Sequence, residues 1–306
     1  MNVAARIIDG TAISRDVRAE VAADVAGLRA QGVVPGLAVV LVGSDGASEL
    51  YVRSKARACR DAGMHDRTLH LSAEATAEEL FGVIDGLNAD PTIHGVLLQL
   101  PLPAHLNPKP FLERIAPEKD VDGFHPLNVG RSFIGDPRGF VPATPAGIME
   151  MIRREEIPTH GKHAVIVGRS LIVSKPLMSL LMAPGPNASV SLIHRHTPDI
   201  APFTRMADIL IVAVGKPGLI QGDMVKPGAA VFDVGITRVP DEADPRGYRV
   251  LGDVDHEAVS QVASAITPVP GGVGPMTIAM LLRNTVEAAR RATAKARRRG
   301  GRKARP

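Results

Sequence analysis

The 306 residues carry a formal net charge of +4, are 45% hydrophobic and 22% charged, and include one cysteine and no tryptophan. Those fractions fit a globular chain long enough for two domains, while the single Cys59 excludes an intrachain disulfide and a multi-cysteine zinc site, and 3% aromatics leave few platforms for stacking bases. The charge is uneven, because residues 290–306 (RRATAKARRRGGRKARP) hold nine bases and no acid, which leaves the preceding 289 residues with 27 bases against 32 acids.

The opening MNVAARIIDG lacks the cationic-then-apolar order of a signal peptide, and no apolar run approaches the ~18 residues of a bilayer span. The expectation is a soluble, cytoplasmic protein with no membrane partner. Short Val/Ile/Leu runs then alternate with longer amphipathic stretches, the pattern of strands buried in a parallel sheet with helices outside, so the fold class is α/β. Helices are expected over 11–30, 48–63 and 75–89, around strands at 37–42 (LAVVLV), 67–71 and 96–100 (VLLQL). The last of these strands stops at Pro101-Leu102-Pro103, where proline has no ladder donor. Residues 142–147 (PATPAG) read as a junction ahead of a helix at 146–156. Further strands at 164–167, 190–193, 209–214 and 230–234 form a nucleotide-binding-style βαβ series. The glycine-rich 268–277 (PVPGGVGPMT) precedes a last helix over 276–293, and the basic tail beyond it is expected to be disordered.

Several positions along this frame could carry chemistry. Tyr51 and Lys55, at i and i+4 in ASELYVRSK, share one helix face, as a packing pair also would. Gln99 closes a buried apolar run, where a polar side chain needs a partner and where parallel sheets place their ligands. Asp122 lies in the turn-rich DVDGFHP, where a solvated acid is the ordinary reading. Gly168-Arg169-Ser170 ends a strand just before a helix expected to start with Ser174 as N-cap, and such a turn gathers free N–H groups and the positive end of a helix dipole into an anion site. The run GRSLIVS nevertheless lacks G-x-G-x-x-G, so an ordinary βα turn remains open. The next strand ends in His194-Arg195-His196-Thr197, a base with no carboxylate, which favours NADP over NAD. Two histidines at i and i+2 do not make a metal site, and none is expected. PGGVGP lacks the Lys-Ser/Thr of a P-loop, leaving its glycines for close approach to a flat ligand.

Together these segments resemble the bifunctional methylenetetrahydrofolate dehydrogenase/methenyltetrahydrofolate cyclohydrolase family (FolD type). The matching blocks are ASELYVRSKARACRDAGM, GVLLQLPLP, KDVDGFHPLNVGR, PATPAGIMEMI, AVIVGRSLIVSKPL, ADILIVAVGKPGLI, VFDVGI and ITPVPGGVGPMTIAMLLRNTV, in order from about residue 9 to 288. The resemblance implies a catalytic domain over 1–143, completed by the C-terminal helix, a Rossmann-like NADP-binding domain over 144–270, folate in the cleft between them, and a homodimer serving one-carbon metabolism and purine biosynthesis. Two reactions are implied: oxidation of 5,10-methylenetetrahydrofolate with NADP+, and hydrolysis of the methenyl product to 10-formyltetrahydrofolate.

Carried over by position, the resemblance makes Lys55 the catalytic lysine, Tyr51 the folate-stacking ring, Gln99 the catalytic glutamine and Asp122 the pterin-binding acid. Val52, Arg53, Ser54, Leu98, Leu100 and the loop of Pro270, Gly271, Gly272, Val273 and Gly274 line the substrate, and Gly168, Arg169, Ser170, Arg195 and Ile236 hold NADP. A lysine base must be partly neutral, so its proton affinity has to fall from a free pKa of ~10.4, through burial or through neighbouring cations such as Arg53 and Arg57. Ser174 stands where the family has glycine, which could narrow the pyrophosphate's approach. Two other readings stay open: a dehydrogenase-only or NAD-using member, and a polyanion binder, without specific nucleic-acid recognition, that acts through the nine tail bases.

Overall fold

The computed structural model describes residues 4–43, 46–245 and 247–303. In chain order the elements are β1 (Arg6–Ile7), α1 (Gly10–Arg29), β2 (Gly36–Val42), α2 (Gly46–Asp61), β3 (His65–Leu71), α3 (Ala77–Ala89), β4 (Gly95–Leu98), α4 (Pro108–Arg114), α5 (Pro126–Phe133) and α6 (Ala143–Arg154). The second half continues with β5 (His163–Val167), α7 (Ser174–Met182), β6 (Ser189–Ile193), α8 (Ala201–Thr204), β7 (Ile209–Val212), β8 (Ala230–Asp233), β9 (Thr237–Pro240), β10 (Tyr248–Leu251), α9 (His256–Ser260), β11 (Ala265–Ile266) and α10 (Val273–Lys303). They fall into two units.

One unit holds Arg15–Arg131, Asp136–Ala143 and the chain from Ile278 onward. Its sheet has the order β3-β2-β4, all parallel. The central strand β2, GLAVVLV, is buried at every residue, which is why it reads as an unbroken apolar run rather than an alternating one. Val40, Val96 and Leu98 pack with Leu80, Ile84 and Leu87 of α3 and with Phe111 of α4. α3 opens with a capping box in which Thr76 accepts from the Glu79 N–H and the Glu79 carboxylate accepts from the Thr76 N–H, satisfying two otherwise orphaned donors. Strand β4 stops at Leu98, and Gln99 adds only one more backbone bond, to the Val40 carbonyl, before Pro101 ends the pairing.

The other unit holds the residues before Arg15, together with Ser132–Gly135 and Thr144–Thr277. Its six strands run β1-β11-β8-β7-β5-β6, all parallel, and β9 and β10 form a separate antiparallel hairpin. Val165, Val167, Leu210, Val212 and Val231 make the core around it. The chain leaves β5 for β6 on one side and returns to β7 on the other, so the order reverses at β5/β7. Such a reversal marks, beyond the carboxyl ends of those two strands, the usual ligand position in an open α/β sheet.

Three expectations change here. The first residues were expected in the catalytic domain, but β1 pairs with β11 and joins the six-stranded sheet. Strand β7 ends at Val212, short of 214, because the N–H groups of Val214 and Gly215 turn to the Asp253 carboxylate. The tail expected to be disordered from 294 continues α10 through Lys303, and residues 304–306 lie outside the described ones. Alanine, arginine and lysine are strong helix formers, and extending an existing helix avoids a new nucleation cost. Arg290 pairs with Asp24 at 2.5 Å, Lys295 with Glu118 at 3.5 Å, and Arg297 donates to Gln31 at 3.1 Å, so the acidic body holds the basic helix. Among the described residues no helix is long and apolar enough to cross a membrane, and no three His, Cys, Asp or Glu gather as metal ligands.

Candidate active site and cofactor turn

In the three-stranded unit, α2 carries Tyr51 and Lys55 one turn apart, with the Tyr51 ring 43% exposed. The Lys55 Nζ donates to Gln99 Oε1 at 2.9 Å, and Gln99 Nε2 donates to the Leu100 carbonyl at 2.8 Å, which fixes the amide with its oxygen toward the amine. A neutral amide holds the amine without adding charge. Removal from water pushes the Lys55 amine below its ordinary pKa of 10.5, and the Asp122 carboxylate acts against that shift. The expected help from Arg53 and Arg57 is absent: Arg53 pairs with Glu49 at 2.8 Å and Arg57 faces Asp61 at 3.8 Å, each along its own exposed helix edge. Val52 is buried in the core, and Ser54 donates back to the Leu50 carbonyl. These three therefore flank the Lys55–Gln99 pair without joining it. Leu98 is buried at the end of β4, and Leu100 is partly buried beyond it.

Asp122 sits in a loop held from two sides. Asp120, 1% exposed, accepts from the N–H groups of Phe124 (3.2 Å) and His125 (2.8 Å) and from Asn128 Nδ2 (2.8 Å). Asn284 of α10 donates to the carbonyls of Val121 and Val141 at 2.8 and 2.9 Å. Gly123 has φ +72°, and a Cβ there would lie 2.7 Å from the Phe140 carbonyl oxygen. Burial raises the Asp122 carboxyl to about 6, with Lys55 opposing and Asp120 adding to the rise. Asp120, Asn128 and Asn284 were not foreseen.

The electrostatic sign gives a prediction. The Asp122 charge stabilises the Lys55 cation, so Asp122→Asn lowers the amine's proton affinity further. The Lys55 amine of that variant is then expected to lose its proton at lower pH than in the wild type, as followed by NMR titration of the labelled lysine; a move to higher pH would contradict the coupling.

In the six-stranded unit, Gly168 follows β5 with φ +139°, and a Cβ there would stand 2.5 Å from the Ala213 oxygen and 2.9 Å from Ser174 Oγ. Only glycine fits that turn. Ser170 Oγ accepts from the N–H groups of Val173 and Ser174 at 3.1 and 3.2 Å; the N-cap position of α7 is Val173, which makes no side-chain cap, and Ser174, expected as the cap, is the first helical residue. Ser174 is fully buried against the turn, its Oγ 3.4 Å from Ser170 Oγ. Arg169 is exposed, and Arg195 is exposed just past β6. Exposed apolar side chains also surround this edge: Leu171 (67%), Ile172 (45%), Val214 (36%) and Ile236 (49%). A Cβ on Gly274 would lie 3.4 Å from Ile236 Cδ1, and Gly271 accepts from the Thr11 N–H, so the glycine loop belongs to this unit beside Ile236. Within that loop Gly272 and Val273 are buried and Pro270 is exposed.

Comparison with known proteins adds the following. Residues 8–122 match the catalytic domain of tetrahydrofolate dehydrogenase/cyclohydrolase, and residues 142–293 match its NAD(P)-binding domain. The chain is 67% identical over 291 residues to the bifunctional protein FolD 1 of Myxococcus xanthus, covering 95% of this chain and all of that protein. It is 53% identical over 291 residues to the bifunctional protein FolD of Geobacillus thermodenitrificans, covering 95% and 99%. Among solved structures, the methylenetetrahydrofolate dehydrogenase-cyclohydrolase of Trypanosoma brucei, complexed with NADP cofactor and inhibitor, superposes with a TM-score of 0.91 at 39% identity, covering 95% of this chain and 99% of that one. The bifunctional FolD enzyme of Campylobacter jejuni gives 0.89 at 46% identity, covering 94% and 99%.

Proposed function

The chain belongs to the tetrahydrofolate dehydrogenase/cyclohydrolase family, and we infer from that membership a bifunctional enzyme of one-carbon folate interconversion. It oxidises 5,10-methylenetetrahydrofolate to the methenyl cation with NADP+, and it hydrolyses that cation to 10-formyltetrahydrofolate. The observation that carries the hydrolytic half is the Lys55 Nζ–Gln99 Oε1 bond at 2.9 Å, made by an amine whose proton affinity burial has lowered.

In the residue roles we propose, neutral Lys55 takes a proton from the water that attacks the methenyl carbon; the resulting ammonium gives a proton to the ring nitrogen as its bond to the tetrahedral carbon breaks, and the hydroxyl proton of that carbon passes to solvent as the formyl C=O forms. One group can serve both steps because burial brings its neutral state closer in energy to its charged one. Gln99 keeps the amine aimed, and Asp122 accepts paired N–H groups of the pterin. Tyr51 offers a flat, exposed face for stacking. In the oxidation no side chain moves a proton, and positioning supplies the acceleration.

The Gly168 turn is a cradle that any Cβ would fill, and its residues fit NADP. Gly168, Arg169 and Ser170 would take the pyrophosphate at the start of α7, Arg195 the ribose phosphate, and Ile236 an apolar face. NADP bound there supplies the hydride acceptor. A homodimer, a cytoplasmic setting and a supply role for purine biosynthesis belong to the same proposal and rest on the resemblance alone.

A spectrophotometric assay with methylenetetrahydrofolate and either NADP+ or NAD+ tests the reading, and failure to form methenyl product with both would end it. Arg195→Ala is expected to raise the NADP+ KM about 10-fold or more, the loss of a charge-assisted phosphate contact, with NAD+ kinetics little changed. An equal rise for NAD+ would remove Arg195 from the phosphate.

A further inference from the structure

Two carboxylates at the carboxyl edge of the six-stranded sheet have no part in the chemistry above. Asp233 ends β8 and is 3% exposed; Asp253 follows β10 and is fully buried. Asp253 Oδ2 accepts from the N–H groups of Val214 and Gly215 at 2.7 and 2.9 Å. Asp233 Oδ1 accepts from the N–H groups of Gly235 and Asp253, each at 2.9 Å, and its Oδ2 accepts from the Val254 N–H at 2.9 Å. Asp253 Oδ1 is buried with no hydrogen-bond partner. The backbone is shaped around both groups: a Cβ on Gly235 would collide with the Asp253 carboxyl, and one on Gly252 with the Asp233 carboxyl.

Buried charge is expensive, so a pair of carboxylates enclosed by backbone donors needs a reason. What they join is informative. Asp253 holds the turn after β7, and Asp233 holds both Asp253 and the turn after β8 that carries the exposed Ile236. The β7 turn in turn abuts the cradle, since the Ala213 oxygen is the atom that a Cβ on Gly168 would strike first. Both turns follow neighbouring strands beside the β5/β7 reversal. With Arg195 beyond β6 taking the phosphate of the adenosine end, β7 and β8 lie toward the opposite, nicotinamide end.

We propose that Asp253, seated on Asp233, is a positioning residue for the oxidation: it locks the 213–215 turn to the 233–236 turn and so sets the floor on which the nicotinamide end of NADP rests. This rests on the assignment of the Gly168 turn as the cofactor site. Asp253 touches no substrate and moves no proton; it acts by holding two backbone segments at one spacing, where small displacements between reacting atoms cost much of the rate.

The full chain carrying Asp253→Ala tests this. The expected result is a split: dehydrogenase kcat falls at least about 10-fold, a size typical of buried donors left unpaired, while the NADP+ KM changes less than about threefold. The deuterium isotope effect with labelled methylenetetrahydrofolate rises, and cyclohydrolase activity, which depends on Lys55 and Gln99 in the other unit, stays within about twofold. Asp253→Asn, which keeps a carbonyl for the two N–H groups, restores kcat to within about threefold of wild type. Without cofactor, amide hydrogen exchange in Asp253→Ala accelerates in peptides spanning 213–217 and 234–237 and not in those covering β2–β4. If the alanine variant does not accumulate as folded protein, Asp253→Ser is read the same way, with a smaller split. A parallel fall of both activities, or unchanged dehydrogenase kcat, or unchanged exchange at the two turns, overturns the assignment. Gly168→Ala separates the underlying reading: if NADP+ still binds normally to that variant, the cofactor site itself is misplaced and the proposal falls with it, whereas a normal Asp253→Ala beside a disabled Gly168→Ala removes Asp253 alone.

Discussion

Lys55→Met removes hydrolysis and leaves NADP+ binding intact. Methionine matches the length and bulk of the lysine stem, so α2 keeps its packing, but the proton acceptor is gone and Gln99 Oε1 loses its donor. General acid–base catalysis contributes about 10²- to 10⁴-fold, and one amine serves both the attack of water and the release of nitrogen, so the expected loss in cyclohydrolase kcat lies at the upper end of that range. Stopped-flow decay of methenyltetrahydrofolate absorbance measures it against the spontaneous rate. The cofactor turn lies in the other unit, and calorimetric NADP+ affinity is expected within about twofold of wild type. Full hydrolysis in this variant would sink the lysine assignment, and the Gln99 and Asp122 roles would go with it.

Gly168→Ala produces the reverse pattern. A single methyl group at φ +139° is strained in any surroundings, and here it also meets the Ala213 carbonyl at 2.5 Å and Ser174 Oγ at 2.9 Å. Ser174 is fully buried and tied to Ser170, and Ala213 is fixed through its own N–H to the Val167 carbonyl. The turn itself must therefore shift, carrying with it the N–H groups of Val173 and Ser174 at the start of α7, where the pyrophosphate is proposed to sit. Dehydrogenase kcat/KM for NADP+ is expected to fall at least about 100-fold, near 3 kcal/mol, with cyclohydrolase largely spared. A thermal melt on the same sample separates this from unfolding. A variant that oxidised methylenetetrahydrofolate normally would show that the turn does not hold the cofactor.

The sheets were readable because a parallel strand covered on both faces becomes a continuous apolar run, as in LAVVLV for β2 and AVIV within β5. The two-residue strands β1 and β11 left no such trace, and nothing local in Arg6–Ile7 says that it pairs with Ala265–Ile266. Tyr51, Lys55, Gln99 and Asp122 could each be placed in sequence by pattern or resemblance, yet the Lys55–Gln99 bond spans 44 positions and only packing creates it. The expectation for Arg53 and Arg57 failed because long cationic side chains find carboxylates on their own helix before they reach a site. Asp120 and Asp253 were passed over because a loop carboxylate is exposed by default, and Asp233 because a charged residue at a strand end ordinarily reaches water. For Asp233 and Asp253 the signal was nonetheless present in DVG and GDVD, where Gly235 and Gly252 leave room for the buried carboxyls.

The hydrogen bonds of Asn284 also fix an order of events in time. Asn284 meets Val121 across 163 positions and Val141 across 143, so the loop that carries Asp122 has no complete support until α10 has left the ribosome. At about 5–20 residues per second, about 10–40 s pass between the synthesis of β4 and that of Asn284, and until then the Asp122 loop is unanchored. Activity is therefore the last property the growing chain acquires, and a chaperone or protease meeting it earlier would find an open loop.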